Sequence, residues 1–390
     1  MPHIVARSYE KFDTPVRSGD FLFEWFADPL QCTNEHLVAI SYKDRPFLLR
    51  IKPKDDRFII KSDKITRISP TFLVKEALVH FCKLARCNVL YDNLSSIKPS
   101  HAAKASVFYK NIDFFIESFP TQKEVWIEIG FGSARHLLFQ AEQNPHIQFI
   151  GIEIHKPSIE QALKQIALKK LENVLIVDYD ARLFLEFVPS NIVGKIFVHF
   201  PVPWDKKPHR RIFSKKFIQE AKRVLKPHGI LELRTDSRLY FEYALELLLE
   251  EERIDLEVTK NMDAPISSKY EDRWRRLGKD IYDIRMKAYE TSAPIELDYD
   301  FSFSMSPKTD KIEKNFDNNP KVFEDFFIHF QKLYRIDSQK LLVELSFGSF
   351  DRPEHRFLLI DKEIHYFPKP PVPSKANIAA HKKIEELLNA

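Results

Sequence analysis

Three acids close three successive apolar runs of this chain. Glu128 lies in "WIEIGFGSA", Glu153 ends "QFIGIEI", and Asp180 falls in "NVLIVDYDA". Gly130 and Gly132, directly after the first run, permit a tight turn and let a ligand approach the backbone, while the helix that follows offers its N-terminus to negative charge. Glu153, 25 residues after Glu128, stands where a carboxylate can accept hydrogen bonds from two ribose hydroxyls. Asp180 stands where a side chain can reach an adenine edge. Together the three describe a nucleoside pocket at strand ends. Taken singly, each is equally a solvated strand-end carboxylate, and a lone Gly-x-Gly is equally a turn.

A second set of residues points to a polyanion. "FPVPWDKKPHRR" (200–211) leaves another apolar run, "KIFVHF", through two prolines that stop a strand and stiffen its exit. Trp204 is followed by Lys206, Lys207, Arg210 and Arg211, with Lys215 and Lys216 a turn later. Arg273, Arg275 and Arg276 surround Trp274 in a second cluster, and Asp236 closes "LRTD". Cations hold phosphates and aromatic rings hold unstacked bases, so two such clusters beside strand ends suit RNA. An isolated cluster reads equally as a solvated face. His155, His199 and His209 lack metal-ligand spacing, and no metal is expected.

The elements that must carry these residues form a regular pattern. Between about 124 and 290, short β-rich runs alternate with longer helical stretches, which implies α/β architecture: a doubly wound, mostly parallel, Rossmann-like sheet. Ligands of such sheets lie outside the carboxyl ends of the strands. "DLEV" and "DIYDIRMKAYE" read as an added pair at one edge. Residues 20–72 show apolar bursts between turns, a β-rich pattern, followed by helical spacing in 72–85 and 106–119. After 295, "NPKVFEDFFIHFQKLYRI" reads as helix, "KLLVELSF" and "HRFLLIDKEIHYFP" as strands, and "NIAAHKKIEELL" as a last helix. The expected organisation is an N-terminal extension (1–120), a central domain (121–292) and a small α+β C-terminal extension (293–390).

The chain has 390 residues, a net charge of +4 and three cysteines, Cys32, Cys82 and Cys87, with no Cys-x-x-Cys. That composition suits a globular protein with reduced thiols. No run approaches the ~20 apolar residues of a membrane span, and the first residues lack a signal-peptide core. The expected location is the cytoplasm.

The acid two positions before the first glycine, and Ala134 where a dinucleotide fingerprint has its third glycine, resemble the S-adenosylmethionine loop of class I methyltransferases. In order, "EIGFG", "GIEIHKP", "FPVPWDKKPHRRIFS", "LRTD" and "SKYEDRWRRLGKDIYDI" resemble the tRNA (guanine-N7)-methyltransferase family over roughly 124–290. The resemblance implies methyl transfer from S-adenosylmethionine to a guanine N7 of tRNA, expected at position 46 in the variable loop. It implies that Glu128, Gly130, Gly132, Glu153 and Asp180 bind the donor. It implies that Lys206, Asp236, Ser268 and Glu271 contact the substrate; beyond the resemblance, Asp236 is expected to act in catalysis and the Arg-rich segments, with Arg210, Arg211 and Arg275, to clamp the backbone. The family usually has aspartate where this chain has Val202. That departure keeps open a catalytically silent tRNA-binding protein, and the sheet alone keeps open a nicotinamide-dependent oxidoreductase. The sequence leaves the oligomeric state undetermined.

Overall fold

Each apolar run of the alternating region is four to seven residues of mostly Val, Ile, Phe and Leu, long enough for a buried strand and too short for a helix. In the computed structural model, which describes residues 2–30, 35–68, 71–94, 107–263, 265–266, 269–304 and 307–389, those runs form one sheet. Its elements, in chain order, are β1 (Tyr109–Lys110), α1 (Ile112–Glu117), β2 (Val125–Ile129), α2 (Arg135–Gln143), β3 (Gln148–Ile152), α3 (Lys156–Lys169), β4 (Val174–Val177) and α4 (Ala181–Phe184). There follow β5 (Val193–His199), α5 (Lys215–Val224), β6 (Leu225–Thr235), α6 (Arg238–Leu249), β7 (Ile254–Lys260), α7 (Lys269–Arg276) and β8 (Tyr282–Ala288).

The strands lie in the order β7-β8-β6-β5-β2-β3-β4-β1. All pairs from β6 to β1 are parallel, and β8 and β7 add an antiparallel edge. From β2 the chain winds outward through β3 and β4, then crosses to β5 on the other side. The switch point therefore lies between β2 and β5, and ligands of such sheets bind beyond the strand tips at that place. On one face Trp126, Phe149, Ile176 and Phe197 pack against Leu137, Ile159 and Ile166 of α2 and α3. Gly151 keeps that packing close, because a Cβ there would lie 2.6 Å from Leu137 Cδ2 and 2.8 Å from Phe131 Cδ1.

This sheet belongs to a compact unit, Lys104–Asp298, while Met1–Ala103 and Tyr299–Ala390 together make a second. The second unit is a separate, largely antiparallel sheet, and its two halves join where Tyr334 and Arg335 pair with Pro29 and Asp28. The stretch read as helix after 320 is instead strand, Lys321–Val322 and Phe327–Arg335. Phe327, Ile328, Phe330, Leu333 and Tyr334 satisfy either period, and pairing with Leu341–Gly348 across eight residue pairs decides for strand. Among the described residues no helix is long and apolar enough to cross a membrane.

A buried cation binds the halves of the second unit. The Arg50 guanidinium donates to Asp63 Oδ2 at 2.7 Å and pairs with Glu344 Oε2 at 3.0 Å and with Glu35. Lys332 Nζ reaches Glu35 at 3.0 Å. Burial raises the Glu35 pKa, but Arg50, Lys52 and Lys332 outweigh it and hold the carboxyl down at about 2. Arg50→Ala takes this cation from buried Asp63 and half-buried Glu344 and leaves Glu35 to Lys52 and Lys332, and a loss of about 3–5 kcal/mol is expected in denaturant unfolding. A depressed acid stabilises above its unfolded value and loses that contribution as pH falls through the folded one. The gap between wild type and variant should therefore narrow between about pH 4.5 and pH 2.

Candidate functional site

At the tip of β2 the chain turns through Gly130, whose φ of +66° lies in the left-handed region, and a Cβ built there meets nothing within 4 Å. Glycine adopts that conformation without steric cost, and the open space exposes the backbone to a ligand. The Gly132 amide then donates to Glu153 Oε2 at 3.0 Å. Glu153 Oε1 accepts from the Ile154 and His155 amides at 2.8 and 3.0 Å. Glu153 thus ties the glycine loop to the tip of β3. An ionised carboxylate has about four acceptor sites, so capacity remains for ligand hydroxyls. At the tip of β4, Asp180 caps α4, accepting from the Arg182 amide at 3.0 Å and from its guanidinium at 2.7 Å.

Glu128 is 4% exposed, and a buried carboxylate needs a partner. That partner is His136, on the first turn of α2, whose Nδ1 lies 2.7 Å from Glu128 Oε2. The His136 ring stands edge-on to Phe197 at 4.8 Å and tilted against His199 at 4.5 Å. His199 Nε2 in turn lies 2.8 Å from Glu232 Oε1, and Arg285 Nε donates to Glu232 Oε2 at 2.8 Å. Burial disfavours charge on His136, yet the Glu128 and Glu232 carboxylates lift its pKa above the ordinary value. Burial likewise opposes the charge on Glu232, but His199 and Arg285 hold it at about 2. Sequence reading passed over His136, which lacks any spacing signal; asking what neutralises a strand-end acid pointing into a core would have found it.

The substrate-side residues divide. Lys206 and Arg210 are exposed, Arg210 with its guanidinium 5.2 Å from the Trp204 ring centre, and Val202 is 61% exposed. The Phe200 amide donates to the Arg234 carbonyl at 2.7 Å, which fixes the start of this loop to β6. At the end of β6, Asp236 Oδ2 accepts from Lys279 Nζ at 2.6 Å, and the same ammonium lies 3.8 Å from the Trp274 ring centre.

Three other expected contacts are engaged within the protein: Arg211 and Glu271 are buried, and Arg275 is exposed but ion-paired. Arg211 is 7% exposed; its Nε donates to the Pro203 carbonyl at 2.7 Å and its guanidinium packs on Tyr240 and Tyr243. It shapes the loop from inside and presents no charge to a phosphate. Glu271, 2% exposed, accepts from Arg234 at 2.8 Å and from Arg275 at 3.0 Å. Arg275 also donates to Asp263 and to the Met262 carbonyl. Two cations converge on Glu271, so it ties α7 to β6 through Arg234. Ser268 lies outside the described residues.

The family model Methyltransf_4, described as "Putative methyltransferase", matches residues 122–284. The chain is 45% identical over 393 residues to a tRNA (guanine-N(7)-)-methyltransferase of Wolinella succinogenes, covering 100% of both chains. It is 39% identical to the protein of that name from Helicobacter hepaticus and 40% to that from Helicobacter pylori, each across 100% of this chain and 99% of the relative. A solved antibiotic-related methyltransferase aligns at 22% identity and a TM-score of 0.35, over 46% of this chain and 94% of its own.

Removing His136 leaves Glu128 buried beside an unfilled position, a loss of about 1–3 kcal/mol for an unsatisfied group. A histidine whose folded pKa is raised stabilises fully below its unfolded pKa and loses that contribution as pH rises through the folded value. His136→Ala should therefore unfold at lower urea than wild type at about pH 6, with a smaller gap at about pH 9. Paired urea titrations at the two pH values read the difference.

Proposed function

The chain belongs to the tRNA (guanine-N(7)-)-methyltransferase family, and from that premise we propose that it transfers the methyl group of S-adenosylmethionine to N7 of guanine 46 in the tRNA variable loop. The observation that carries the reading is the set of residues gathered at the strand tips around the switch point. Gly130 has open space beside it, Glu128, Glu153 and Asp180 stand at or just beyond three neighbouring strand ends, and the Trp204 loop leaves the adjacent strand β5. The residues present fit the donor: Glu153 retains acceptor capacity for a ribose hydroxyl, Asp180 stands on the adenine side, and Glu128, paired with His136, holds the end of β2 where the glycine loop begins. Bound there, the donor supplies an electrophilic methyl sulfonium.

Guanine N7 carries a lone pair and no proton at neutral pH, so the chain's residues need not remove one. Their task is alignment, which can be worth about 7–11 kcal/mol, and stabilisation of positive charge developing on the purine. Asp236, on the strand adjacent to the Trp204 loop and held by Lys279, supplies that stabilisation in the absence of an aspartate at Val202. Lys206 and Arg210 meet phosphate, and Trp204 offers a stacking surface. Glu271 and Arg275 act through Arg234, holding α7 in place. The reaction is placed in the cytoplasm, where its tRNA substrate resides. The full-length relatives carry the methyltransferase name, and neither a silent tRNA-binding protein nor a nicotinamide-dependent oxidoreductase has comparable support.

Incubation with labelled S-adenosylmethionine and unmodified tRNA, followed by mapping of the modified base, tests the reading. Label at N7 of guanine 46 is expected, and label elsewhere or nowhere refutes it. Asp236→Ala should lower kcat by roughly 10-fold to 100-fold, in line with a lost electrostatic contact, while donor affinity measured by titration stays within about two-fold.

A further inference from the structure

The second unit carries a sheet face that the reaction does not use. Val89–Asp92, His3–Ala6, Arg57–Ser62 and Arg45–Lys54 lie side by side, all antiparallel. Register places His3 beside Lys61 and Lys61 beside Arg50; Val5 sits beside Ile59 and Ile59 beside Lys52; Arg57 pairs with Lys54, and Tyr91 with Val5. Directly paired residues share a face, and so do residues two apart. One face therefore carries Lys52, Lys54, Arg57 and Lys61 with Tyr91 at its margin. The opposite face carries Ile4, Ala6, Leu49, Ile51 and Ile60, which pack against the helix Thr71–Leu84.

Alternation has therefore put oil on one side and cations on the other. Residues 43–67 hold nine Lys and Arg against four Asp. Some of this charge is already matched. Arg50 is enclosed by acids, Lys52 reaches Glu35 at 2.8 Å, and Arg57 lies 3.2 Å from Asp56 at the turn. Among the described residues, Lys61 has no ion pair of this kind. Burial and the adjacent Lys52, Lys64 and Arg50 charges push its ammonium below the ordinary lysine pKa, against a weaker opposing pull from Glu35. Tyr91 is 55% exposed, with the His3 ring 5.8 Å away, and Lys54 and Lys64 are exposed. Like charges gathered on one face repel one another, and the Tyr91 ring at its margin is exposed. Both are well matched to an RNA strand, whose phosphates neutralise the cations and whose bases stack on rings.

We propose that this face is a second tRNA-binding surface, taking phosphates on Lys54, Lys61 and Lys64 and an unpaired base on Tyr91. The proposal rests on the reading that tRNA is the substrate, and it assigns part of the affinity to the flanking unit. The test uses the full chain with Lys54→Ala, Lys61→Ala and Lys64→Ala combined, and separately with Tyr91→Ala. Binding to unmodified tRNA is measured over a range of salt, with donor titration as the check on folding.

Each lost phosphate contact should flatten the plot of log affinity against log salt by about 0.7–0.9. The triple variant should therefore lose roughly two units of slope and about 10-fold or more in affinity, with donor affinity unchanged. Tyr91→Ala should weaken binding several-fold with the slope unchanged. Wild-type tRNA affinity and slope in the triple variant would overturn the proposal. So would lysine-dependent binding of anionic phosphatidylserine vesicles combined with lysine-independent binding of tRNA, which would assign the face to a membrane. A wild type that neither binds nor methylates tRNA would defeat the underlying reading instead, a result distinct from loss confined to these variants.

Discussion

Ionisable side chains on the inner face of a sheet cannot stay charged unless each finds a partner, and in Lys104–Asp298 that requirement fixes everything around the strand tips. Glu128, Phe197, Glu232 and Arg285 are consecutive cross-strand neighbours on β2, β5, β6 and β8. His136 and His199 fill the row above Phe197, closing onto Glu128 and Glu232. One row further along, Arg234 grips Asp283 at 2.7 and 2.9 Å and reaches Glu271 on α7. These pairs need not make the fold more stable than apolar residues of equal volume would. What they supply is position, because a buried pair broken on one side is costly, so α2, α7 and the strand tips are held to one arrangement.

That division of charges into internal and external explains what the sequence could and could not reveal. The strand-helix alternation was legible because burial on both faces demands unbroken apolar runs, and the strand-end acids were legible because each follows such a run directly. The fate of the cations was not. Arg211 and Arg275 sit in polar segments that read as surface. Arg211 is internal because α6 brings Tyr240 and Tyr243 to it, and Arg275, though exposed, is ion-paired to Glu271, which in turn meets Arg234 from 37 positions away. The same blindness to long-range pairing affected Phe327–Arg335. Its apolar residues satisfy two periods, and the partner strand that decides between them lies across the hairpin. Nothing local announces that Pro29 will pair with Tyr334.

With the internal cations set aside, the outward charge beside the strand tips concentrates. Lys206, Lys207 and Arg210 are exposed around Trp204, on a loop braced from beneath by Arg211 and tied to β6 at the Phe200 amide. Both Phe200 and Trp204 have positive φ, +49° and +46°, a conformation costly for bulky side chains and sustained only by surrounding contacts. The interior arginine provides one of those contacts through the Pro203 carbonyl. A loop so constrained presents a ring and three cations in a set arrangement, which lowers the ordering cost of binding a flexible strand.

The same logic bears on Val202. An aspartate at that position would add negative charge beside a purine that becomes cationic during transfer, a gain that depends on distance and on the exclusion of water. Val202 is 61% exposed, where water screens charge, so the stabilisation forgone there is smaller than in a closed site. Asp236 is the better sheltered acid, its side chain 16% exposed and oriented by Lys279. With no proton to remove at N7, the barrier is governed mainly by how well donor and acceptor are lined up. Lining up is what the buried charge rows accomplish. An enzyme that fixes its strand tips through Glu128–His136 and Arg234–Asp283 can therefore dispense with one exposed carboxylate more readily than with any of these internal partners.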